Sequence, residues 1–256
     1  MPVSAGIAYR VHVGGGLDEG RPPLILIHGA GGTRLHWPTE VRRLPGEHVY
    51  SLDLPGHGGS PGAGEMRIGA YVEQLKTWLD AQEIERGVFV GHSMGGAISL
   101  TMALGDQERV AGLVLVGTGG RLRVHPEILA WTAEEKTFPK AVDMIKRWAF
   151  SPQASSRLVT LVEKRMGETP PAILHGDFLA CDAFDILDRL GEVHVPAQVI
   201  VGTDDKMTPV KYSRYLEEHL PDARLEIIEG AGHMVMLERP GEVADVVKAF
   251  LESKFG

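Results

Sequence analysis

The sequence predicts an α/β fold with a mostly parallel central sheet flanked by helices, because short β-type apolar runs alternate with longer segments of helical periodicity. Most of the strand-like runs are continuously apolar, the pattern of strands covered by helices on both faces. A chain of 256 residues, 43% of them hydrophobic, can bury one sizeable core without disulfides or a structural metal.

Taken in order, residues 5–13 read as an N-terminal strand, and Gly14–Gly16 with Asp18–Pro23 as the turn after it. The clearest strands follow at Leu24–Ile27, Val49–Leu52, Val88–Val90, Leu113–Val116, Gln198–Val201 and Leu225–Ile228. Apolar residues at helical spacing predict helices over Ile68–Gln82, Ser93–Leu104, Val210–His219 and Glu242–Ser253. Between Arg121 and Leu190 the alternation stops and only helical periodicity remains. The expected organisation is therefore a core domain of residues 1–120 and 191–256, with residues 121–190 inserted as a helical cap.

The charge is unevenly placed. The chain carries a formal −8, yet residues 121–190 hold ten bases and ten acids, so the acidity belongs to the core. An acidic surface repels a phosphate backbone, which argues against a nucleic-acid partner. One cysteine, Cys181, allows no internal disulfide, and no Cys/His cluster has metal-ligand spacing, so neither metal nor cofactor is expected. No apolar run approaches the roughly 18 residues that span a bilayer. With no basic-then-apolar leader at the start, the expectation is a soluble, cytoplasmic protein that does not engage membranes.

Gly91-His-Ser-Met-Gly95 is the segment richest in chemistry. It matches G-x-S-x-G and sits between the strand Gly87–Val90 and a helix beginning at Gly96. A serine on such a turn is held in a strained conformation with its hydroxyl exposed, and the glycines let helix and strand approach. The backbone N–H of Met94 then points, with a helix N-terminus behind it, to where an oxyanion would form.

With these residues in place the sequence resembles the α/β-hydrolase family over nearly its whole length. His28-Gly-Ala-Gly-Gly32 follows a strand where that family keeps its second oxyanion donor, which the resemblance assigns to the N–H of Ala30. Asp53-Leu-Pro-Gly-His-Gly-Gly-Ser60 resembles the loop after the next strand, where Asp53 is expected to satisfy backbone N–H groups. A serine needs a base, and the base an orienting acid. Among eleven histidines, His233 lies in a Gly-rich loop that resembles the family's histidine loop, whereas His28 and His92 occupy packing positions. For the acid, Asp204 and Asp205 are adjacent; the family pattern G-x-x-D-x-x-x-P, spanning Gly202 to Pro209, selects Asp205. The position after the preceding core strand reads Gly117-Thr-Gly-Gly120 and offers no carboxylate. The resulting order Ser93, Asp205, His233 is the one the fold requires.

The resemblance implies acyl transfer on a small-molecule ester or lactone. A carboxylesterase for small to medium, largely apolar esters is the leading expectation, with a lactonase, a carbon–carbon bond hydrolase and a hydrolase-fold ligand receptor as alternatives. A serine at the elbow, in place of aspartate, argues against dehalogenase and epoxide-hydrolase relatives. The neutral insertion holds Trp131, Phe138, Trp148, Phe150, Phe178 and Phe184, and about half of these aromatics are expected to face the substrate. Trp37 and Met234, next to motif residues, are expected as pocket walls. The polar-studded run His175–Phe184 has no assigned role beyond anchoring the cap.

Overall fold

The computed structural model describes residues 1–14 and 21–256. Eight strands appear in chain order: β1 (Val3–Ser4), β2 (Ile7–Val13), β3 (Leu24–Ile27), β4 (His48–Asp53), β5 (Gly87–His92), β6 (Val110–Val116), β7 (Ala197–Gly202) and β8 (Ala223–Ile228). They form one sheet in the order β1-β2-β4-β3-β5-β6-β7-β8, antiparallel at β1, β2 and β4 and parallel from β4 onward. Every residue of β3, β5, β6 and β7 is buried, which explains their unbroken apolar sequence. β8 alternates between partly buried and exposed positions, as suits an edge strand with one wet face.

The helices are α1 (Thr39–Arg42), α2 (Ile68–Ala81), α3 (Met94–Gly105), α4 (Pro126–Thr132), α5 (Phe138–Ala149), α6 (Ser156–Gly167), α7 (Pro171–Asp182), α8 (Val210–His219), α9 (Val235–Glu238) and α10 (Pro240–Phe255). Two apolar layers enclose the sheet. One gathers Tyr71, Leu75 and Trp78 of α2 with the buried residues of α3; the other gathers Trp37, Val41 and the inner face of α10. The four-residue helices α1 and α9 left no readable period in the sequence. The turn expected after β2 falls mostly on residues 15–20, outside the described residues.

Helices α4 to α7 all lie between β6 and β7. Where this segment leaves and rejoins the core, its two necks pair: Leu122 N–H donates to the Phe184 carbonyl at 3.3 Å and Ile186 N–H to that of Gly120 at 2.8 Å. Its own apolar cluster is built from Ile128, Phe138, Val142, Ile145, Met166, Leu174 and Phe178. Among the described residues no helix is long and apolar enough to cross a membrane.

Strand order reverses around β3, which lies between β4 and β5. A crevice opens at the carboxyl ends of strands at such a point, and the loops after β3 and β5 meet there.

Candidate active site

The turn after β5 is tight because its glycines leave no alternative. A Cβ on Gly91 would lie 2.3 Å from the Gly95 carbonyl oxygen, and one on Gly95 would lie 2.3 Å from that of Ile27 on β3. On Gly96 it would strike Thr118. Squeezed between these contacts, Ser93 adopts φ +52°, ψ −115°, a left-handed backbone that costs a side-chain-bearing residue about 1–3 kcal/mol. Its ends are tied down: Ser93 N–H donates to the Val116 carbonyl at 2.9 Å, and the Thr118 hydroxyl donates to the Ser93 carbonyl at 2.8 Å.

His233 sits in the loop after β8, 3% exposed, with Nδ1 2.9 Å from Oδ2 of Asp205. Asp205, 4% exposed, stands in the loop after β7 and accepts further bonds from the N–H of Met207 (2.9 Å), the N–H of Thr208 (2.8 Å) and the Thr208 hydroxyl (2.8 Å). Both oxygens are thus occupied, which fixes the carboxylate plane. Asp204 makes no such contact; its N–H donates to the Ala231 carbonyl instead. Thr208, whose hydroxyl also lies 3.2 Å from His233 Nδ1, carried no sequence signal beyond lying one residue before Pro209.

The loop after β3 folds over the serine. A Cβ on Gly29 would lie 3.1 Å from Ser93 Cβ. His28 holds this loop from behind, accepting from the Leu54 N–H at 3.0 Å and lying 2.8 Å from the Gly29 carbonyl. Burial drives its pKa well below the usual range, so it stays neutral. His92 is neutral for the same reason and faces the His233 carbonyl at 3.0 Å. Among the described residues the backbone N–H groups of Ala30 and Met94 have no acceptor.

Ser93, His233, Ala30 and Met234 border one cavity of about 70 Å³, otherwise walled mostly by apolar residues of the insertion and its neck: Leu122, Val124, Ile145, Ala149, Met166 and Phe178. His36, unforeseen in the sequence, is also there; burial and then Arg165 lower its pKa to about 4. The expected tryptophan walls are elsewhere. Trp37 is fully buried in the layer beneath, with Val41 and Leu44. Trp148 packs edge-on against His125, and Trp131 borders an outer groove with Pro139, Lys140 and Arg147. Of the insertion's aromatics only Phe178 reaches the cavity; Phe138, Trp148, Phe150 and Phe184 pack helices against one another or onto the core. Cys181 lines the cavity, and burial raises its pKa, so it is held as the thiol. No three His, Cys, Asp or Glu side chains converge as a metal site among the described residues.

The alpha/beta hydrolase family model matches residues 24–246. The chain belongs to that family. It is 29% identical to a pimeloyl-[acyl-carrier protein] methyl ester esterase of Aromatoleum aromaticum, over 89% of this chain and 97% of that one. Among solved structures it is similar to a thermophilic esterase, 31% identical with a TM-score of 0.82 over 97% of this chain and 99% of the other. A further likeness is to Est816, described as an N-acyl homoserine lactone degrading enzyme, at 25% identity and a TM-score of 0.80 over 95% and 96% of the two chains.

Proposed function

We propose that the protein is a serine carboxylesterase that cleaves small, largely apolar esters through an acyl-enzyme. The observation that carries this reading is that a strained Ser93, a His233 already bonded to a fully satisfied Asp205, and Ala30 border one apolar cavity, with Met94 directly after the serine. His233 takes the Ser93 proton as the oxygen attacks the ester carbonyl; Asp205 holds the tautomer and stabilises the imidazolium. The N–H groups of Ala30 and Met94 receive the oxyanion. His233 then protonates the departing alcohol, and a water, deprotonated by the same histidine, releases the acid and restores the serine. Water is the only co-reactant the cycle uses.

The cavity has room for about five waters. That favours short acyl chains, which also narrows the expectation of small to medium esters. Fluorophosphonate labelling of Ser93 followed by a p-nitrophenyl ester chain-length series tests the reading: labelling together with higher turnover of short-chain than of long-chain esters supports it. Absence of both labelling and turnover overturns it. The likeness to a lactone-degrading enzyme favours lactone hydrolysis as the second reading. A preference of several orders for lactones over linear esters would replace the first reading with the second.

A further inference from the structure

Asp177 is fully buried and projects from α7 of the insertion into the core, where it meets three elements at once. One oxygen accepts from the Gly31 N–H at 2.7 Å and lies 2.8 Å from His57 Nε2; the other accepts from the Tyr71 hydroxyl at 2.6 Å. Gly31 directly follows Ala30. Its carbonyl is held too, by the Thr169 hydroxyl at 3.2 Å, so the insertion grips the Gly31 residue at both its N–H and its carbonyl.

Packing closes the same joint. Gly31 has φ +61°, and a Cβ there would lie 2.6 Å from Leu174 Cδ1 on α7. A mobile lid would not be given a buried carboxylate with three partners, since withdrawing it would strand an N–H, a hydroxyl and an imidazole without acceptors.

We infer that Asp177 is a positioning residue for the reaction: by clamping the Gly31 N–H from the insertion, with Thr169 on the carbonyl, it sets the direction of the neighbouring Ala30 N–H toward the oxyanion. The inference rests on Ala30 being an oxyanion donor, as in the proposed esterase. The effect acts on the transition state, because an N–H aimed at the tetrahedral oxygen is worth more there than against the planar substrate. A fixed donor also needs no reorganisation as charge develops.

The test compares wild type, Asp177→Asn and Thr169→Val with p-nitrophenyl butyrate and with a trifluoromethyl ketone, which forms a tetrahedral adduct on the serine. Misaiming a donor without removing it costs up to about 10²-fold. Asp177→Asn is expected to lower kcat by about 10- to 100-fold with little change in KM, and to weaken the ketone by the same factor. Thr169→Val, at a partly exposed site that folding tolerates, should move both in the same direction by a few-fold, on the order of one weak hydrogen bond. Amide hydrogen exchange supplies a readout independent of turnover: protection at Gly31 should fall in Asp177→Asn relative to the rest of the loop.

A purely structural role would lower the melting temperature and Gly31 protection while leaving kcat and ketone affinity at wild-type values well below the transition. That result overturns the inference. Failure of the esterase reading looks different, because wild type itself would then show neither turnover nor Ser93 labelling; that outcome removes the catalytic meaning of the clamp as well.

Discussion

The loops at the carboxyl edge of the sheet and the helical insertion each contain a buried aspartate bonded to a histidine, and the two pairs have nearly equal lengths: 2.9 Å for His233 to Asp205 and 2.8 Å for His57 to Asp177. Their difference lies on the far nitrogen. His57 uses its second nitrogen on the Pro55 carbonyl at 3.0 Å, so both nitrogens face acceptors and the ring is held as a donor on each side. His233 has its Asp205 contact on Nδ1 and borders the same cavity as Ser93. The same side-chain pair is therefore a fixed strut where both nitrogens are engaged, and in the proposed esterase it is the one with a nitrogen left unengaged that serves as the base.

Substitutions can break this contrast, and the expected effects are graded. Ser93→Ala should lower kcat by about 10⁶, read by ester turnover. Asp205→Asn should lower kcat by about 10⁴. Asp204→Asn, at a side chain that does not reach His233, should leave kcat within about twofold. His57→Gln removes one partner of a fully buried pair and should act first on stability, by about 3 kcal/mol in a denaturant titration, with kcat falling less than in Asp205→Asn.

The pairs also differ in what acid does to them. Burial alone would depress the His57 pKa, but the Asp177 charge and hydrogen bond, with the Pro55 and Leu54 carbonyls, raise it above its ordinary value. Its stabilisation is complete below the unfolded value near 6.5 and is lost as pH climbs through the raised folded value. The gap in stability between wild type and His57→Gln should therefore narrow toward alkaline pH. His28, His36 and His92 run the other way: their folded values are lowered, so the stability they contribute is present above about pH 6.5 and lost as pH falls. For His36 that window extends down to about 4, at up to about 1.4 kcal/mol per pH unit. His36→Gln should flatten the acid limb of melting temperature against pH. The smallest effect belongs to Trp131→Ala: on the outer groove, it should change kcat/KM by less than about twofold.

The sheet was legible because a parallel strand with two covered faces writes itself as an apolar run, and β3, β5, β6 and β7 all do. The elbow was legible for a related reason. Its geometry rests on close approach at Gly91, Gly95 and Gly96, which only glycine permits, so the constraint is visible in neighbouring residues. Asp177 was not legible. Its partners are 106 to 146 residues away, and within its own helix it is one polar residue in a mixed run. The tryptophans lie away from the cavity for two different reasons. Trp37 is fully enclosed in the layer under the sheet, where a large aromatic gains most. Trp131 and Trp148 are partly buried on the outer side of the helices, Trp131 at a groove and Trp148 against His125.

The paired necks of the insertion bear on how such a protein can change over generations. Because Leu122 meets Phe184 and Gly120 meets Ile186, the segment between them enters and leaves the core at one point, and a lineage can exchange it whole without redirecting the strands on either side. The exchange carries one condition. A replacement segment must bring its own acceptor for the Gly31 N–H, the Tyr71 hydroxyl and His57 Nε2, or the core inherits three buried donors without an acceptor. The segment between the necks is thus exchangeable only for one that carries a matching carboxylate.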